Sequence, residues 1–77
     1  MYYPLSFEIT LEYDEREVED LLELLENLGA VYRYVGGPLY YLFIPEEFNQ
    51  APFEQILLDC DSVTKVIHLS LGAVRNP

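Results

Sequence analysis

Positive charge is what this chain has least of. Of its 77 residues only four are Lys or Arg (Arg16, Arg33, Lys65 and Arg75), and none lies between Tyr34 and Thr64. Proteins that hold nucleic acid do so largely by displacing the counterions around phosphate with Lys and Arg, so direct nucleic-acid binding is excluded by supply. Anionic membrane surfaces are disfavoured for the same reason. Cysteine is nearly absent too. Cys60 stands alone, which rules out an intrachain disulfide framework and favours a reducing compartment. No apolar run approaches the roughly 18 residues that span a bilayer. The opening Met-Tyr-Tyr-Pro-Leu-Ser-Phe lacks the basic and long apolar regions of a signal peptide, so the expected location is cytoplasmic. The length suits a single domain over residues 1–77, and a chain so short buries only about 60% of its unfolded surface.

Negative charge is abundant and unevenly placed. There are fourteen Asp and Glu residues, giving a net charge of −10, and half of them fall between Asp14 and Glu26. Val18, Leu21, Leu22, Leu25 and Leu28 recur there at three- and four-residue steps, the signature of a helix with one buried face. Asp14 is placed to cap it, Glu17 completes a capping-box pattern, and Gly29 sits where a left-handed terminating residue belongs. A helix over 15–28 turns Glu15, Glu19, Glu23 and Glu26 outward as an anionic ridge.

The remaining elements follow from period and punctuation. Leu5, Phe7, Ile9, Leu11 and Tyr13 alternate with Ser6, Glu8, Thr10 and Glu12, predicting a half-buried strand. The β-prone runs 30–35 and 39–44 flank Gly36-Gly37-Pro38 and predict a hairpin. Asn49-Gln50-Ala51-Pro52 opens a second helix, with Phe53, Ile56, Leu57 and Cys60 on its buried face. A last strand runs from Thr64 to Leu71 and stops at Gly72, leaving 73–77 as a loose tail. The order β-α-β-β-α-β, with right-handed crossovers, predicts an α+β, ferredoxin-like fold: a four-stranded antiparallel sheet with both helices on one face. That fold hosts many functions and names none.

The other face of the sheet is left open. A two-residue Gly36-Gly37 loop pairs Val35 with Pro38, Arg33 with Tyr40 and Val31 with Leu42. Two outward sets are then available: Val31, Arg33, Val35, Tyr40, Leu42 and Ile44, or Tyr32, Tyr34, Leu39, Tyr41 and Phe43. The first is preferred, because burying Arg33 unpaired costs several kcal/mol whereas a tyrosine buries its ring and lets its hydroxyl reach a partner. Either choice puts apolar groups on the open side. Such a patch marks an interaction site, a surface for a homodimer, or a face covered by the 1–3 segment or the tail.

Candidate chemistry is sparse. Sheet aromatics bring RNA-recognition domains to mind, but Glu8 and Glu12 on the first strand repel a phosphate backbone. No Cys-x-x-Cys loop is present, Cys60 and His68 on separate elements make no metal site, and Asp59 and Asp61 lack the rest of a calcium loop. His68, between Ile67 and Leu69, is expected on the open face. Cys60 is expected to pack rather than react, and solvated carboxylates form no acid–base pair. No metal, cofactor or catalytic residues are assigned, and the expectation is a protein that is not an enzyme.

What remains is a non-enzymatic, acidic protein-interaction module with a basic protein surface as its partner. Its candidate contact residues are Glu15, Glu19, Glu23 and Glu26 on the ridge and Val31, Val35, Tyr40, Leu42 and Ile44 on the sheet. In physical type this is a nucleic-acid mimic, like small acidic inhibitors such as anti-restriction and anti-CRISPR proteins, although no motif ties the chain to them. Two alternatives stand beside it. One is a structural subunit docked through its sheet face. The other is a ligand-sensing regulatory domain, for which Asp61-Ser62-Val63-Thr64-Lys65-Val66-Ile67 supplies a short turn and a valine pair entering the last strand.

Overall fold

A computed structural model describes residues 2–69 of the chain. The elements run β1 (Tyr2–Ile9), α1 (Glu15–Asn27), β2 (Val31–Gly36), β3 (Leu39–Pro45), α2 (Ala51–Asp59) and β4 (Val63–His68). The strands form one antiparallel sheet in the order β2-β3-β1-β4. With two helices in β-α-β-β-α-β order, this is the α+β ferredoxin-like arrangement. Leu5, Phe7 and Ile9 of β1 and Leu42 and Ile44 of β3 meet Val18, Leu21, Leu22 and Leu25 of α1 and Phe53 and Leu57 of α2. Burial of each such side chain contributes about 1.5–3 kcal/mol before entropy is counted.

α1 forms because both ends are closed locally. At the start, the Asp14 carboxylate accepts from the Arg16 N–H at 2.9 Å. At the end, Gly29 takes φ +106°, its N–H donates to the Glu26 carbonyl, and the Ala30 N–H donates to the Leu25 carbonyl. Those two bonds make a Schellman motif. Two expectations change here. Glu17 does not complete a capping box, because its carboxylate accepts from the Cys60 thiol at 3.2 Å. Leu28 is the C-cap and is exposed rather than buried, since the chain turns away at Gly29.

β1 begins and ends earlier than the alternation predicts. It starts at Tyr2, so Tyr2 and Tyr3 are paired strand residues opposite Pro45 and Ile44 rather than a cover for the sheet. It ends at Ile9, whose N–H donates to the Pro38 carbonyl, and the next N–H, that of Thr10, donates to the Ser62 carbonyl. Pro38 and Ser62 immediately precede β3 and β4, so neither of these strands continues alongside the chain beyond Thr10. Leu11, apolar and in phase, is consequently 91% exposed in a turn.

The hairpin register also differs by one residue. Val31 faces Phe43, Arg33 faces Tyr41 and Tyr34 faces Tyr40, with Val35 bulged before Gly36 pairs with Leu39. Proline explains the shift. Pro38 has no N–H for the ladder, so it sits in the turn beside Gly37, where Gly37 takes φ +55°. A positive φ followed by the fixed negative φ of proline is the sign pattern of a II′ hairpin turn.

The outward set therefore matches neither alternative. Tyr32, Tyr40, Leu42 and Ile44 pack on the helix side, with Leu42 and Ile44 at 0% exposure. The open side carries Val31 and Arg33 of β2, Leu39, Tyr41 and Phe43 of β3, Pro4, Ser6 and Glu8 of β1, and Lys65 and Ile67 of β4. Phe43 is only 1% exposed there, with Tyr2 and Tyr41 edge-on to it.

β4 has its own bulge. Lys65 pairs with Glu8 but Val63 pairs with Ile9, leaving Thr64 over, and its hydroxyl donates to the Glu8 carbonyl. The bulge lets Val63 and Val66 both pack on the core and reverses the expected phase after it. His68 is thus opposite Leu5 on the helix side, 2.9 Å from the Glu54 carboxylate of α2, and Ile67 is on the open face. The expected end of this strand at Leu71, its stop at Gly72 and the tail lie outside the described residues.

Candidate interaction site

The anionic ridge is present as a surface. Glu15, Glu17, Glu19, Asp20, Glu23 and Glu26 are all exposed on α1 while Val18, Leu21, Leu22 and Leu25 are buried beneath them. Among the described residues no cation comes within salt-bridge distance of any of these carboxylates. The ion pairs found there involve other elements: Lys65 with Glu8 at 4.0 Å and His68 with Glu54. The last turn of α1 holds no basic residue. Glu26 occupies it instead, against the negative end of the helix dipole, with Glu23 just before it.

A cleft opens at the N-terminal end of this ridge. It has a volume of about 290 Å³ and lies between the β1–α1 turn and the tip of the β2–β3 hairpin. Tyr13, Tyr34 and Tyr40 supply its aromatic walls, and Ile9, Leu11 and Val18 are among its apolar lining. The Tyr34 and Tyr40 rings approach to 5.2 Å between centroids at 58°, and Phe7 stacks on Tyr40 from the core side at 5.3 Å. Tyr13 and Tyr34 are 46% and 57% exposed, so the walls face solvent. Burial raises the Tyr40 hydroxyl above its ordinary pKa, and the neighbouring Tyr13, Tyr34 and Tyr32 phenols raise it further. A contiguous depression shares Tyr13, Val18 and Tyr40 with the cleft and adds Glu15 and Glu19.

The predicted contact residues are therefore divided. Glu15, Glu19, Glu23 and Glu26 share one helix face, and Val31 lies on the open side of the sheet. Val35 is exposed at the bulge. Tyr40 is on the helix side and meets the ridge only through the cleft, while Leu42 and Ile44 are core residues that no surface contact reaches. Tyr13 and Tyr34 were not among the predicted contacts. Tyr13 reads as a strand residue, and Tyr34 falls in the less favoured of the two outward sets.

Elsewhere the chemistry is quiet. Burial, followed by the hydrogen bond to Glu17, raises the Cys60 thiol above its usual value, so at neutral pH it is a protonated donor and not a thiolate. Among the described residues no group of three or more His, Cys, Asp or Glu side chains is placed to hold a metal ion. No described helix is long and apolar enough to cross a membrane. No family model matches the chain, and no curated protein or solved structure matches it.

Proposed function

We propose that this protein is a non-enzymatic interaction module that docks a positively charged protein surface through the outer face of α1. The row of exposed carboxylates on that face, which form no ion pair among the described residues and continue into a last turn where Glu26 opposes the helix dipole, is the observation that carries this reading. Charge that served solubility alone has no need to concentrate on one helix, nor to occupy the end where it costs stability. Glutamates four residues apart rise about 6 Å per step along a helix. Phosphates rise about 3.4 Å per base along one strand of a duplex. The ridge is a loose mimic of such a backbone, which makes a nucleic-acid-handling protein the partner class, with inhibition as the outcome of occupying its cleft. The open sheet face has less to recommend it as the main docking surface, because Phe43 and Pro4 are already buried on it.

The test is a pull-down from the native host or its natural target cell, washed across a salt series, with wild type beside an E19K/E23K variant. A basic partner that elutes with salt or competing DNA and is lost by the variant supports the reading. A partner held equally by both proteins and indifferent to salt removes the electrostatic mechanism.

A further inference from the structure

We infer that the tyrosine cleft is a receptor for a single arginine side chain presented by the basic partner, its guanidinium held between the rings of Tyr13, Tyr34 and Tyr40 and the carboxylates of Glu15 and Glu19. This rests on the docking role proposed for α1 and specifies what enters beside it.

Four observations converge on that occupant. The volume, about 290 Å³, lies at the lower limit of small-molecule pockets and suits one side chain rather than a cofactor. Among the described residues no Lys, Arg or His lines the cleft or the adjoining depression, so no cationic side chain there complements a phosphate or carboxylate. Three tyrosine rings line it or its edge, and aromatic rings of this kind attract a cation through their electron-rich faces. Solvent reaches Tyr13 and Tyr34, while Phe7 backs Tyr40 and fixes its plane. Finally, the polarity is graded: Ile9 and Val18 match an alkyl stem, and Glu15 and Glu19 match a charged head group. Arginine suits this better than lysine. A planar guanidinium stacks on a ring while its edge donates to carboxylates, whereas an ammonium is a compact, more strongly hydrated charge.

The experiment is an NMR titration of the full chain at low salt with the peptide acetyl-Gly-Arg-Gly-amide. The control is the same peptide carrying citrulline, which keeps the shape of arginine and removes its charge. The arginine peptide is expected to move the ring signals of Tyr13, Tyr34 and Tyr40 saturably, with the citrulline peptide moving them far less. Tyr34→Ala and Tyr13→Ala, both at exposed positions, are each expected to weaken the interaction by about two- to fivefold, the factor carried by one cation–π contact. Equal binding of both peptides would overturn the inference by making the cleft a neutral apolar site. Shifts confined to the α1 glutamates, or no shifts at all, would also overturn it. The docking reading is judged separately: a basic partner released by salt and by E19K/E23K, yet bound with unchanged affinity by Tyr34→Ala and by Tyr13→Ala, sinks the arginine cleft and leaves the ridge standing.

Discussion

Gly29 is the residue with least freedom to change. It holds φ +106°, where L side chains are strained, and a Cβ built on it would overlap the Phe48 ring. Phe48 in turn stacks on Phe53, a buried residue of α2. Gly29→Ala therefore combines backbone strain with displacement of a ring that closes the base of α1 onto α2. We expect a loss of about 1–3 kcal/mol, seen as a fall in the thermal midpoint of roughly 4–8 °C for each kcal/mol in a domain of this size. A double-mutant cycle separates the two causes. In a Phe48→Ala background the steric part is gone, so Gly29→Ala should cost measurably less than in wild type. Additive effects would show that the ring yields freely and that only the backbone matters. The glycine itself was visible in the sequence as a helix terminator. Its contact with Phe48 was not, because that depends on how the β3–α2 loop returns over the helix end.

At the scale of elements, what was legible divides by how local its cause is. α1 could be read almost to the residue, since periodicity, Asp14 and Gly29 all act within one or two turns. The strands could be recognised but not bounded. The alternation that starts at Leu5 continues through Leu11 and Tyr13, yet the ladder stops at Ile9 because the neighbouring strands run out. The hairpin register turned on a single missing N–H at Pro38, and the phase of β4 on one bulged threonine. Each displacement of one residue reverses which side chains face the core, so the glutamates of the site were legible, while Tyr40 was expected on the wrong face and Tyr13 and Tyr34 were not expected in the site. The same locality makes α1 the element to test. Glu26 lies in its last turn, beside the dipole's negative end and three residues after Glu23. Glu26→Lys reverses both unfavourable terms and should stabilise the protein by about 0.3–1 kcal/mol at low ionic strength, read as a higher urea midpoint at unchanged slope. If the ridge is the docking surface, the same substitution weakens partner binding. A gain in stability with no loss of binding would mean that the acidic end of α1 serves no contact.

For the whole molecule the relevant lengths are its radius of gyration, 11.6 Å, and the Debye length, about 10 Å at 0.1 M salt. At ordinary ionic strength opposite sides of the protein scarcely feel one another, but neighbouring glutamates on α1 still do. With a net charge of −10 and exposed, weak ion pairs among the described residues, added salt screens far more repulsion than attraction. The thermal midpoint should therefore rise by several degrees between about 0.01 and 0.5 M NaCl, over which the Debye length falls from about 30 Å toward a few ångström. Affinity for a basic partner should fall across the same range, since the field that destabilises the free protein is the one that attracts the partner. Scanning calorimetry and partner titration in matched buffers, with sucrose as an uncharged comparison, measure both quantities. Opposite signs tie stability and recognition to one charge distribution. A midpoint that stays flat or falls with NaCl would mean that the carboxylates are relieved within the folded chain, and the ridge would then lose its claim to be a surface held ready for a cationic partner.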